Sequence, residues 1–205
     1  MLINKQKIKR FYNMDLITLH LPTEEEIEFQ VGLVDMPAIE SDWQTFTAQQ
    51  TKAFQFKEFD KSKKLLMGYF MIADLEIPRF DKSRGAYNVV FPKESIDKIV
   101  RNFSKNGLNQ NMNEMHQTGK LIDGVYVLHH WQLDSEMGIG APNGFKKEKD
   151  GSWFAVVRCE NEEIYNKALK GELNGFSIEG RFIEEEMFNQ ALNNFFNDLD
   201  EMVKN

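Results

Sequence analysis

Near its C-terminus the chain reads KGELNGFSIEGRF, with Ser177 held between Gly175 and Gly180. A serine hydroxyl attacks a carbonyl only when a base takes its proton and a further group holds that base in orientation. Four histidines could supply the base: His20, His116, His129 and His130. His116, in NEMHQTGK, lies in a polar stretch between a helix and a glycine turn, where an imidazole can reach a cleft. His20, in LITLHLP, lies in the least constrained part of the sequence and reads as structural. His129 and His130 are adjacent on an expected strand, so their side chains face opposite sides of the sheet. At most one of them can join His116 and Ser177; the competing reading has one partly buried and bonded to backbone, the other at the surface. GFSIEG is not the G-x-S-x-G elbow, because its second glycine follows the serine by three residues instead of two. On residue types alone, Ser177 is an ordinary strand serine unless these groups converge.

Hydrophobic periodicity gives the elements that would position them. Ile27, Phe29, Val31 and Leu33 alternate with Glu28, Gln30 and Gly32, the pattern of a half-buried strand ended by Pro37. Residues 40–63 are polar with scattered aromatics and read as a connection. LLMGYFMIADL reads as a buried strand, PRFDKSRGA as a turn and YNVVF as the returning strand. PKESIDKIVRNFSKNG is a helix: Pro92 suits its start, Ile96, Ile99, Val100 and Phe103 form its stripe, and Gly107 stops it. Strands follow around NMNEMHQ, GVYVLHHWQLD and SWFAVVRCE. NEEIYNKALKG is a short helix with Asn161 as N-cap, and GFSIEGRFI is the last strand. In residues 184–205, Phe188, Leu192, Phe195, Leu199 and Met202 make a helical seam. That seam can pack on the chain's own body or on a second copy, giving a homodimer. The expected organisation is an extension over 1–26, a β domain over 27–183 and a helix over 184–205.

Composition narrows the function classes. The chain is 205 residues long, 41% hydrophobic and 28% charged, enough for one globular domain with a substantial core. A net charge of −7 argues against nucleic acid as the main ligand, because phosphate binding needs a basic surface. No apolar run reaches the ~18 residues of a membrane span. Cys159 is the single cysteine, so no intramolecular disulfide can form, and no pattern of zinc ligands is present. Neither a metal nor a cofactor is expected.

The ordered series YNVVFPKESIDKIVRNF, NEMHQTGK, GVYVLHHWQLD and GSWFAVVRCENEEIYNKALKGELNGFSIEG resembles the phage prohead (capsid maturation) serine proteases, in particular the XkdF-type branch. VGLVDMPAIE is similar to that family's early V-D-x-P-A segment, and the resemblance spans about residues 27–183. It implies a fold related to the herpesvirus assemblins, an α+β chain built on a small, mostly antiparallel β-barrel with flanking helices. It also implies a serine endopeptidase that cleaves scaffold and major capsid proteins inside the assembling procapsid, in the host cytoplasm. Carried over by motif, Ser177 matches the nucleophile and His116 the general base. The family's Glu in E-S-W falls on His129, its Ser on His130, and Trp131 completes the match. A histidine can still accept the N–H of His116, so His129 is the expected third member; Glu114 and Glu179, the latter on Ser177's strand face, are the substitutes. Backbone N–H groups around Phe176–Ile178 and the Arg181 side chain are candidate oxyanion donors, with an Arg181–Glu179 ion pair as the competing use. The alternative function is a catalytically inactive relative retained as a scaffold-binding module in head assembly.

Overall fold

A computed structural model describes residues 15–21, 29–35, 55–117 and 119–185. In chain order its elements are β1 (Asp15–His20), β2 (Gln30–Val34), β3 (Lys57–Asp60), β4 (Leu65–Met71), β5 (Ile77–Asp81) and β6 (Gly85–Val90). There follow α1 (Lys93–Lys105), a 3-10 turn at Leu108–Gln110, β7 (Met112–Glu114), β8 (Val125–Gln132) and β9 (Trp153–Cys159). α2 (Glu162–Leu169), β10 (Gly175–Glu179) and β11 (Ile183–Glu184) complete the set. The expected C-terminal helix lies, from residue 186 onward, outside the described residues, as do residues 40–54 of the expected connection.

The strands form three sheets, ordered β11-β1-β6-β5, β10-β2-β7 and β3-β4-β9-β8. Pairing is antiparallel except between β1 and β6 and between β2 and β7. The α+β class and the antiparallel bias are as expected, but among the described residues no sheet closes into a barrel. Closure requires the outermost strands of one sheet to pair with each other. Here the chain moves from sheet to sheet instead. The expected single strand GFSIEGRFI breaks at Gly180, where the Phe29 ring stands 2.5 Å from the point a Cβ would occupy. Beyond that break β11 pairs with β1, in another sheet from β10.

Local chemistry explains the two helices. α1 starts after extended Pro92 and buries Ile96, Ile99 and Phe103 on one face. α2 is capped by the Asn161 side chain, which accepts from the Glu163 and Ile164 N–H groups. Among the described residues no helix is long and apolar enough to cross a membrane.

The core shows how two sheets face each other. β4 is buried along its whole length. Phe176 of β10 packs on Phe70 at 4.9 Å, Phe70 on Trp153 at 5.0 Å, and Trp153 on Phe103 of α1 at 5.0 Å. The Phe176 face of β10-β2-β7 therefore covers the Trp153 face of β3-β4-β9-β8. Tyr69, Trp131 and Phe145 surround Phe154 on the opposite face of the latter sheet.

His130 belongs to the covered layer. Its Nδ1 accepts from the Trp153 indole N–H at 3.2 Å, and its ring meets Phe103 edge-on. Burial holds its pKa below the ordinary histidine value. Above about pH 6.5 both folded and unfolded states hold it neutral. As pH falls through that value the unfolded chain takes the proton first, so stability drops until the folded value is reached, by at most about 1.4 kcal/mol per pH unit for one site. His20 is shifted the same way, chiefly by burial, with Glu185 and Glu94 opposing and Lys98 assisting. The urea midpoint should fall between pH 7 and pH 5, and fall less in His130→Gln, whose amide oxygen can still accept from Trp153. Equal falls in both chains would remove His130 from the account.

Candidate active site

Ser177 lies on β10 directly opposite Gly32 of β2, and Gly32 lies opposite Asn113 of β7. Residues that face one another across a sheet project to the same side, so Ser177, Gly32 and Asn113 form one row. Phe176 points into the core, so the row occupies the outer face of its sheet. Glu179, two residues along β10, projects to the same face.

Gly32 leaves a notch in this row, and His116 fills it. A Cβ built on Gly32 would stand 3.3 Å from both Cε1 and Nδ1 of His116 and 3.1 Å from Asn113 Oδ1. Directly opposed strand residues hold their Cβ positions about 5 Å apart. The imidazole and the Ser177 side chain therefore lie on the same face of this sheet, each next to Gly32.

The segment that delivers His116 is strained. The Glu114 carbonyl accepts from Gln117 N at 3.0 Å, closing a four-residue turn. Its central residues, Met115 and His116, both have positive φ, 52° and 55°. Such turns normally use Asn or Gly there, and a non-glycine residue in this region costs on the order of 1 kcal/mol or more. The turn keeps this conformation because its ends are fixed, Met115 N–H donating to the Leu33 carbonyl at 3.0 Å, and it seats the imidazole over Gly32. Strain of this kind gathers at functional sites.

Nδ1 of His116 faces Glu179, whose Oε2 lies 3.8 Å away. The same carboxylate oxygen accepts from Asn113 Nδ2 at 2.9 Å. Glu179 is the acid that the fold brings to the imidazole. Glu114 points the other way: it alternates with Asn113 along β7 and pairs with Lys167 of α2 at 2.9 Å. Lys167 also binds Glu163, and the two carboxylates hold its ammonium pKa well above the usual range.

The expected third member, His129, is not brought to this place. It pairs with Val156 and projects, like Trp131, to the Phe154 face of β3-β4-β9-β8. Ser177 lies on the outer face of the other sheet, so the whole inter-sheet core separates the two. A bulge between Val127 and His129 sets that face. His130, as expected, takes the opposite side, but bonds an indole rather than backbone. Among the candidate oxyanion donors, Phe176 is fully buried, Ile178 half-buried and Arg181 exposed.

A second serine–histidine pair exists, with Ser95 Oγ 3.0 Å from His20 Nδ1. Ser95 is only 1% exposed, so no peptide can reach it. Gly32, Asn113 and Gln30 were not singled out from the sequence. A glycine inside a strand marks close approach by another group, and that signal was there to be used.

A family described as "Putative phage serine protease XkdF" matches residues 56–186, more than half of the 205-residue chain. The chain belongs to this phage serine protease family. The match takes in His116, Asn113, Ser177 and Glu179, while β1 and β2 lie before it. No curated protein and no solved structure matches the chain.

Proposed function

We propose that this XkdF-family chain is a serine endopeptidase of phage head maturation, acting through Ser177, His116 and Glu179. Ser177 Oγ attacks the scissile carbonyl carbon as His116 takes its proton on Nε2. Glu179 faces Nδ1 of the resulting imidazolium and offsets its charge. His116 then returns the proton to the leaving amine, and water hydrolyses the acyl-enzyme by the reverse relay. The developing oxyanion is met by backbone N–H groups near Phe176 and Ile178, with the exposed Arg181 guanidinium as a further donor. The observation that carries the reading is the His116 ring seated over Gly32, opposite Ser177, with Glu179 at its Nδ1.

The proposed substrates are the scaffold and the major capsid protein inside the assembling procapsid in the host cytoplasm. Co-expressing them with this chain, then weighing the products, tests the assignment. Truncated scaffold or capsid protein is the expected result, and full-length products in assembled heads would overturn it.

Gly32→Ala tests the notch itself. The new Cβ would crowd both His116 and Asn113 Oδ1 at 3.1–3.3 Å. A misplacement of about 1 Å in catalytic geometry costs on the order of a hundredfold. The kcat/KM should fall by at least about tenfold, while the urea midpoint changes little, since alanine suits a strand interior better than glycine does. Unchanged kcat/KM would show that the imidazole does not need the notch.

A further inference from the structure

Asn113 is completely buried, yet it is an amide on a short strand beside the equally buried Met112. Nδ2 spends its protons on Gln30 Oε1 at 2.7 Å and Glu179 Oε2 at 2.9 Å. A carboxylate only accepts, so this pairing fixes which end of the amide is nitrogen. Oδ1 must then point elsewhere, and it is buried without a hydrogen-bond partner. It points at the Gly32 notch, 3.1 Å from the point a Cβ would occupy, where His116 Nδ1 and Cε1 also converge at 3.3 Å. Native proteins rarely leave a buried carbonyl unpaired, because its desolvation is uncompensated.

We propose that Asn113 is the positioning residue of this site: its Nδ2 holds the Glu179 carboxylate and its Oδ1 receives the His116 imidazole. The inference rests on the Ser177–His116–Glu179 reading and deepens it. In the resting geometry Nδ1 is 3.8 Å from Glu179 Oε2, too long for a hydrogen bond. An inward shift of about 1 Å brings the Nδ1–H within bonding distance. When His116 accepts the serine proton, the imidazolium meets a carboxylate and an amide carbonyl, both already oriented. Gln30 couples this arrangement to the histidine loop, because its Oε1 also accepts from Gly119 N at 3.4 Å. One amide thus sets the carboxylate, the tautomer and, through Gln30, the loop.

The test uses the full chain and two variants, Asn113→Ala and the near-isosteric Asn113→Asp. Imidazole nitrogen resonances report which nitrogen of His116 carries the proton, and they do so whether or not any peptide is cleaved. The wild-type ring should hold its proton on Nδ1, and Asn113→Ala should return it to the mixed tautomers of a free imidazole. For the enzyme, Asn113→Ala should lower kcat by about 10- to 100-fold with KM nearly unchanged, as for a lost hydrogen bond to a charged group. Asn113→Asp, which sets a second carboxylate beside Glu179, should move the acid limb of the kcat/KM profile by about one pH unit or more.

A merely structural Asn113 would lower the urea midpoint while leaving the tautomer and the pH profile unmoved, and that result overturns the proposal. A tautomer change in a chain that cleaves nothing would uphold the positioning role and sink the protease reading instead. If neither variant folds, the wild-type chain decides. Its His116 nitrogen resonances must show the proton held on Nδ1, and a ring protonated on Nε2 or of mixed tautomer overturns the proposal.

Discussion

Ser177→Ala should lower kcat/KM by at least about a thousandfold and leave the fold unchanged. The size follows from the chemistry: without Oγ there is no acyl-enzyme, and only binding and oxyanion stabilisation remain to speed direct attack by water. Stability should hold because Ser177 is half-buried on the outer face, while the neighbouring Phe176 carries the packing against Phe70. Replacement by alanine at such a site changes stability by no more than about 0.5 kcal/mol. Ser95→Ala supplies the control. Its hydroxyl also meets a histidine, at 3.0 Å, but it is 1% exposed at the start of α1. That variant should lose stability and keep its activity per folded molecule. Peptide cleavage with urea melts on both variants separates the cases. Full cleavage by Ser177→Ala would end the catalytic reading, and unaltered head assembly with that variant would put the scaffold-binding module in its place.

The contrast between the two serines shows what the sequence could and could not reveal. Elements set by local patterns were legible. Pro92 and the Ile96–Ile99–Phe103 stripe marked α1, Asn161 marked the start of α2, and the apolar run at 65–71 marked the buried β4. Elements set by distant partners were not. β1 (Asp15–His20) alternates only weakly, and it is a strand because β6 and β11, remote in sequence, pair with its two edges. Among the described residues the barrel does not form for the same reason, since closure depends on which strands become neighbours rather than on any strand's own pattern.

The site divides along the same line. Alternation along one strand put Glu179 on the face of Ser177, and that much was readable. Whether His129 could join them depended on which faces of two different sheets meet. That is decided by the contacts of Phe176 and Trp153 with Phe70, together with the bulge before His129. Asn113 became visible only once β7 was seen to lie beside β2.

The second large effect discriminates between these two candidates for the third member. Glu179→Gln should cost about three to four orders of magnitude in kcat, since replacing the orienting carboxylate of a serine triad by its amide costs about 10⁴. The shape of the side chain is kept, so the loss is electrostatic and tautomeric. A glutamine can turn an N–H toward Nδ1, favouring the imidazole form that cannot accept the serine proton on Nε2. It also carries no charge to offset the imidazolium. His129→Ala should stay within about twofold in kcat/KM, because its side chain lies on the Phe154 face, across the core from Ser177. Single-turnover cleavage of one peptide by both variants reads the chemical step directly. A deep loss in His129→Ala with little change in Glu179→Gln would reverse the assignment. It would also require the two sheets to meet through faces other than those joined by Phe70, Trp153 and Phe176, so the chemistry and the packing stand or fall together.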